Sequence, residues 1–273
     1  MSVRRQRGVV LIVVLWIVVL LTVLLAAFTA TVKVDRHVAT DVVESVQARA
    51  SADSVLAYLS GLRMADTELW PEMPGQIYKL QLNNMQLRFR IIPETAYVSL
   101  NNASVDLLQR VFEAAQAPDA QQIAEAIVAR RSVTIDEQTG AEVAPKLFTS
   151  VRSLTLMPQM QLETVQAIGQ WFTVDSGHEG VNLLFADPSL LYALVPDEAE
   201  MLLAGRTENG VRELVPVNSS IMQQDQGDIV RVQVELSSSA SKRKIEATVA
   251  FDDSERGYHV VRWNEYNAHF SLE

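Results

Sequence analysis

Arg4-Arg5-Gln6-Arg7-Gly8 precedes Val9 to Val32, twenty-four residues without a charge. An α-helix needs about 20 apolar residues to cross a hydrocarbon core about 30 Å thick, so this run is long enough to span a bilayer. A cleaved secretory signal has an apolar region of only about 7 to 15 residues and a small-x-small exit. Leu25-Ala26-Ala27-Phe28-Thr29-Ala30 offers no clean Ala-x-Ala pair, so the stretch reads as a retained anchor. Arg4, Arg5 and Arg7 lie on one side of it, which by the positive-inside rule keeps the amino end cytoplasmic and sends the rest of the chain outward.

The junction carries further information. A short basic leader ending in Gly8, followed by Val9-Val10-Leu11-Ile12-Val13, resembles a prepilin-type leader, which a dedicated peptidase cuts after the glycine. The leader alone leaves two readings open: that one, and a plain signal anchor with an incidental glycine.

Composition narrows the class. The chain has 273 residues and a net charge of −10; without the leader's three arginines, 20 basic residues face 33 acidic ones, a balance of −13. Such a surface repels nucleic acid and anionic lipid. There is no cysteine, so no disulfide supports the fold in the oxidising space to which the charge asymmetry sends it. Metal ligands would have to be oxygens or the four histidines His37, His178, His259 and His269.

Working outward from the anchor, residues 33–62 contain no proline, and apolar residues return at Val38, Val42 and Val46, then at Ala52, Leu56 and Leu59. This spacing predicts that the span continues as an amphipathic helix. Val9 to Leu62 would then be one rod of 54 residues, about 80 Å long. Gly61, Pro71, Pro74 and Gly75 are its stop signals. Ile77–Leu82 and Met85–Ile91 alternate apolar and polar residues around Asn83-Asn84, the pattern of a β-hairpin, whose apolar side is expected on the rod. Pro93 closes the second strand.

From Asn101 to Arg206 the pattern is helical and weakly repeated. Residues 98–108 lie on residues 181–191 at a constant offset of 83: Val98 with Val181, Leu100 with Leu183, Ala103 with Ala186, Leu107 with Leu190, Leu108 with Leu191. Each copy leads through a capping residue, Asn102 or Asp187, into a helix, and each runs on to an arginine-ended helix, Ile123–Arg131 and Ala199–Arg206. Between them, residues 151–160 and 162–172 read as a helix-turn-helix pair of the helix-hairpin-helix kind. After Gly210, residues 228–237, 242–251 and 258–266 alternate as three strands. A meander alone would leave a bare edge and an open face; pairing with the hairpin removes both. The expected fold class is α+β: a pilin-like long N-terminal helix on a small antiparallel sheet, with a large helical (SAM or helix-hairpin-helix-like) insertion between the strands. The expected segments are a leader 1–8, an assembly helix 9–32, a first pilin-like part 33–100, the insertion 101–210 with two related units, and a second pilin-like part 211–273.

Arg7-Gly8-Val9 with its apolar run, Val98-Ser99-Leu100-Asn101-Asn102-Ala103 and Leu154-Thr155-Leu156-Met157-Pro158, in that order, resemble the K-type minor pseudopilin family of bacterial type II secretion, general secretion pathway protein K. The resemblance covers almost the whole chain, which is somewhat short for the family. It implies cleavage between Gly8 and Val9, methylation of the new Val9 amine, and assembly through the helix face that starts Val9, Val10, Leu11, Ile12, Val13. Val13 stands where shaft-forming pilins are known for a glutamate; the K-type family also lacks that glutamate and is taken to sit at the fibre tip. The implied partners are I- and J-type minor pseudopilins in a heterotrimeric tip complex, the prepilin peptidase, the inner membrane, and the exported substrate or outer-membrane secretin. The implied location is the inner membrane, single-pass, with a periplasmic head. A minor pilin of a type IV pilus or another signal-anchored adaptor is the rival.

No Ser-His-Asp set or carboxylate pair stands out, so no enzyme is expected. The turn at Leu156-Met157-Pro158-Gln159-Met160 lacks the glycines and cations by which helix-hairpin-helix modules hold phosphate, and residues 101–206 hold 6 basic against 14 acidic residues, which excludes nucleic acid. Some members of the family bind calcium in the insertion; here Asp136, Glu137 and Glu142, or Asp175 with Glu179, supply the hard oxygens, with solvated loop carboxylates as the alternative. No cofactor is expected otherwise.

Overall fold

A computed structural model describes residues 6–65, 69–82, 85–135, 142–206, 222, 225–237 and 242–267. The chain divides into two compact parts, residues 1–51 and residues 52–273.

Helix α1 spans Gln6–Ala65. Within residues 1–51 its apolar side chains from Val10 to Phe28 are exposed, and Thr22, Thr29 and Thr31 donate their hydroxyls to carbonyls three or four residues back, so these three donors are met inside the helix. Val38, Val42 and Val46, expected as the apolar stripe of an amphipathic helix, are exposed as well. In residues 52–65 the pattern changes: Ala52, Val55, Leu56 and Leu59 are buried. Gly61 does not stop the helix. It sits in open space, and α1 runs four residues further, carrying Arg63 in its last turn to Asp228, 2.6 Å away, with the guanidinium 4.9 Å from the Phe251 ring centre.

The rest of the pilin-like part is one five-stranded antiparallel sheet. Strands β1 (Ile77–Leu82) and β2 (Met85–Pro93) form the expected hairpin, and β7 (Ile229–Ser237), β8 (Lys242–Phe251) and β9 (Tyr258–Asn267) the expected meander, in spatial order β1-β2-β7-β8-β9. Period-two alternation puts Leu87, Phe89, Ile91, Val230, Val232, Val234, Leu236, Ile245, Ala247 and Val249 on one face, all buried. Gly257, at φ +71, makes the turn into β9 against Ser60, whose hydroxyl donates to the Arg256 carbonyl. An added Cβ there would run into Ser60 Oγ.

Between β2 and β7 the chain is predominantly helical. It contains β3 (Val98–Ser99), α2 (Val105–Ala114), α3 (Ala120–Arg131), β4 (Thr134–Ile135), β5 (Glu142–Val143), a 3₁₀ turn (Val151–Leu156), α4 (Leu162–Ile168), β6 (Phe172–Thr173), α5 (Pro188–Leu194) and α6 (Pro196–Ala204). The first arm of the expected helix-turn-helix pair is thus a 3₁₀ segment. Two small sheets join the helices: β3 runs parallel to β6, and β4 pairs with β5. A single core built on Leu107, Leu108, Phe112, Ile123, Ile127, Leu154, Phe172, Leu190 and Leu191 holds this body, with Phe112 and Phe172 stacked at 5.6 Å.

The repeat is real in three dimensions. Val98, Leu100, Ala103, Leu107 and Leu108 are fully buried, and so are Val181, Leu183, Ala186, Leu190 and Leu191. One assignment shifts: α2 is capped by Ser104, whose oxygen accepts from Leu107 N–H, and not by Asn102. Asp187 caps α5 as expected, accepting from Ser189 N–H, and lies 83 residues from Ser104. The asparagines serve elsewhere. Asn101 donates to the Phe148 and Val174 carbonyls, both at 3.0 Å, and accepts from Phe148 N–H, tying two loops to the entry strand.

Candidate assembly surface and the buried junction

The sequence-selected residues at the amino end lie in one helix. Gly8 and Val9 are helical, and Val10, Leu11, Ile12 and Val13 present exposed side chains, 51 to 72% accessible. A contiguous apolar surface of this size does not stay in water; it faces lipid or other apolar helices. By length and composition α1 is long and apolar enough to cross a membrane.

Where the helical body meets the sheet, five polar or charged side chains converge that no local pattern announces. Glu94, the residue that follows β2, is 1% exposed and takes a two-pronged bond from Arg231 on β7, at 2.9 Å to Nε and 3.2 Å to Nη2. Thr173 of β6 donates to the same carboxylate, and Thr248 of β8 lies 3.5 Å from it. Tyr97 lies with its ring centre 4.0 Å from the Arg231 guanidinium. Burial pushes the Tyr97 hydroxyl up to about 12, with the arginine pulling partly the other way. The Arg231 guanidinium is held above its ordinary value: burial disfavours its charge, and Glu94, Tyr97 and Glu246 outweigh burial. A second tie runs from β9, where Arg262 pairs with both oxygens of Asp175 at 3.2 and 3.3 Å and donates to the Thr149 carbonyl. Arg231, Thr248 and Arg262 stand opposite one another on three neighbouring strands, so these contacts fasten the helical body to the sheet along one row.

Each repeat carries its own arginine clamp. Arg131, at the end of α3, donates to the carbonyls of Leu100 and Ala103; Arg206, just past α6, donates to those of Leu183 and Ala186 at 2.8 and 2.7 Å. Both carbonyl pairs are related by the same offset of 83. Burial pulls the Arg206 guanidinium down to about 10 against the opposing pull of Asp187, and lowers Arg131 in the same direction against Glu179. The arginine endings are visible in the sequence, and their task is not.

Among the described residues the calcium candidates are not brought together. Asp175 is committed to Arg262, Glu142 is exposed in β5, and Asp136 and Glu137 lie outside the described residues. Among the described residues no group of three His, Asp or Glu side chains forms a metal-holding cluster. Of the histidines, His259 meets Asp252 at 2.7 Å on the exposed β8–β9 turn and His178 lies against Gly227. His269 lies outside the described residues.

No family model matches the chain, and no curated protein sequence matches it. Among solved structures, a chain of the crystal structure of the GspK-GspI-GspJ complex from the type 2 secretion system of enterotoxigenic Escherichia coli superposes with a TM-score of 0.57 at 12% identity. The match covers 82% of this chain and 96% of that one. The fold is K-type. Long N-terminal helix, antiparallel sheet and helical insertion together make this K-type pilin fold, and the N-terminal apolar helix fits a membrane anchor.

Proposed function

We propose that the chain is a minor pseudopilin of type II secretion that forms the tip complex of the periplasmic pseudopilus with I- and J-type partners, helps initiate pseudopilus assembly, and performs no catalysis. The observation that carries this reading is the combination, in one chain, of an exposed apolar N-terminal helix surface with a K-type fold whose broad insertion is rigidly tied to the sheet. A closely wound shaft has no room for such a head, whereas a tip does. The likeness to a GspK-GspI-GspJ structure supports the choice of partners.

In this reading the segments are a leader to Gly8, an assembly helix Val9–Val32, a pilin-like body split into residues 33–100 and 211–273, and an insertion of 101–210. Prepilin peptidase cuts between Gly8 and Val9, the Val9 amine is methylated, and Val10, Leu11, Ile12 and Val13 enter the helix bundle. With Val13 in place of a carboxylate, no charge is set in the membrane to neutralise a subunit above, as suits the uppermost position. The protein sits in the inner membrane with its head in the periplasm.

Coexpression with I- and J-type minor pseudopilins tests the reading: a stable three-chain complex is expected, and its absence overturns the tip role. Mass spectrometry should find a mature chain starting at methylated Val9; an intact leader in cells with active peptidase would instead mark an adaptor outside the pilin class.

A further inference from the structure

The five-stranded sheet has two edges, and they are treated differently. Edge strand β9 carries a bulge opposite Thr248/Val249, and Arg262 ties it to the helical body through Asp175 and Thr149. A bulged and tethered strand is a poor template for further pairing. Edge strand β1 pairs with β2 through six consecutive residues in unbroken register.

Its backbone polarity follows from one bond. Gly75 N–H donates to the Ile91 carbonyl at 2.7 Å, so Ile91, and by alternation Phe89 and Leu87, direct their polar backbone groups toward β1. Their partners Tyr78 and Leu80 answer them, which leaves Ile77, Lys79 and Gln81 aiming N–H and C=O away from β2, along an edge about 20 Å long. A groove of about 590 Å³ opens there, lined by Lys79, Leu80, Gln81, Gln86, Leu87 and Arg88.

The groove's lining carries two cations, Lys79 and Arg88. Lys79 stands directly opposite Arg88, in a pair whose backbones do not bond and whose side chains are therefore close, an unfavourable arrangement for like charges. Arg88 has Glu235 at 3.5 Å; no carboxylate among the described residues pairs with Lys79. On the other face of β1, Leu80 is 40% exposed. With Arg88 offset by Glu235, Lys79 gives this edge one cation without a carboxylate partner among the described residues, in a chain whose mature balance is −13, and Leu80 stands half-exposed on the opposite face.

We propose that the β1 edge accepts an added strand from a partner pseudopilin, one that sets an acidic residue over Lys79 and, on the opposite face, an apolar residue over Leu80. Main-chain bonds to Lys79 and Gln81 would supply affinity and the alternating side chains the choice of partner. The proposal rests on the tip reading above and adds to it the contact that selects the neighbour.

The test uses the full chain coexpressed with I- and J-type partners, with a photo-crosslinking p-benzoylphenylalanine at Leu80 and, as a control, at exposed Tyr192 in the insertion. The expected result is an adduct to one partner from position 80, at least tenfold above that from position 192. Lys79→Glu, which reverses the charge, and Gln81→Pro, which removes an outward N–H without touching the bonds to β2, should each cut it at least fivefold. Circular dichroism on both variants shows whether the fold is kept, and the two reporter positions decide the question without them. A three-chain complex that assembles with no excess adduct at position 80 overturns the strand addition and leaves the tip reading standing. An adduct to an exported protein overturns the occupant, and failure of any complex to form overturns both.

Discussion

The two repeats of the insertion solve one problem with different margins. In each, a buried extended segment, a capped helix and an arginine returning to two carbonyls make a closed unit, yet in the first repeat Arg131 lies 31 positions beyond Leu100 and in the second Arg206 lies only 23 beyond Leu183. The first uses its extra length on longer helices and a connection in which Gln116 and Asp119 adopt positive φ. The second turns from α5 into α6 through Val195 alone, with Pro196 opening the new helix. Compactness costs solvation: the Arg206 guanidinium is more deeply buried than that of Arg131 and its charge is the more disfavoured. The duplication therefore preserves the bond pattern and the five buried apolar positions, while length, loop chemistry and desolvation drift.

The largest effect should come from where both repeats are fastened to the sheet. Glu94→Ala leaves Arg231 buried with only the more distant Glu246 carboxylate, 3.8 Å away, and a loss of about 3 to 5 kcal/mol is expected, read as a lower midpoint in denaturant unfolding of the full chain in detergent. A separate, earlier transition of the helical body would show that the repeats are held as one cooperative unit by this pair. Arg206→Met should follow at about 3 kcal/mol, because two buried carbonyls lose a charged donor, and Arg131→Met should cost less, about 2 kcal/mol, since water reaches its half-buried site. Equal losses in calorimetry would break the distinction drawn between the repeats. Removing the caps tests the likeness instead: Ser104→Ala and Asp187→Ala should each cost about 1 kcal/mol.

The smallest effect lies outside both repeats and serves as their reference. Asp252 is held down to about 2, first by its bonds from Ser254 and then by His259. The folded carboxyl thus binds its proton at lower pH than the unfolded one, near 3.8, so its contribution is complete above that value and is lost as pH falls toward 2. Asp252→Asn should flatten this part of the acid limb slightly in thermal melts, by the same amount in the wild-type, Arg131 and Arg206 backgrounds.

The sheet is legible in the sequence because its signal is local: alternation alone places all of β7 and β8 and all of β9 but its last residue. The offset of 83 is legible too, but local capping preference points to Asn102 over Ser104, the residue that the offset itself pairs with Asp187. Val38, Val42 and Val46 have helical spacing and remain exposed, since periodicity reports what a helix can bury and not whether a surface is there to receive it. The Glu94 junction is hidden for a different reason. Its partners stand 79, 137 and 154 residues away in the chain, and nothing near Glu94 in sequence marks it. Likewise Asp175 reads as a free hard ligand among its sequence neighbours, whereas Arg262, from the last strand, occupies it.

Pro93, the last residue of β2, sits opposite Val230 near the start of β7, so the chain leaves the sheet and returns to it through neighbouring positions. Everything in between hangs from one doorway. Such a head can lengthen, shorten or be exchanged between lineages with the pairing of the five strands left intact, and its evolutionary freedom is bounded mainly by the handful of side chains at the threshold.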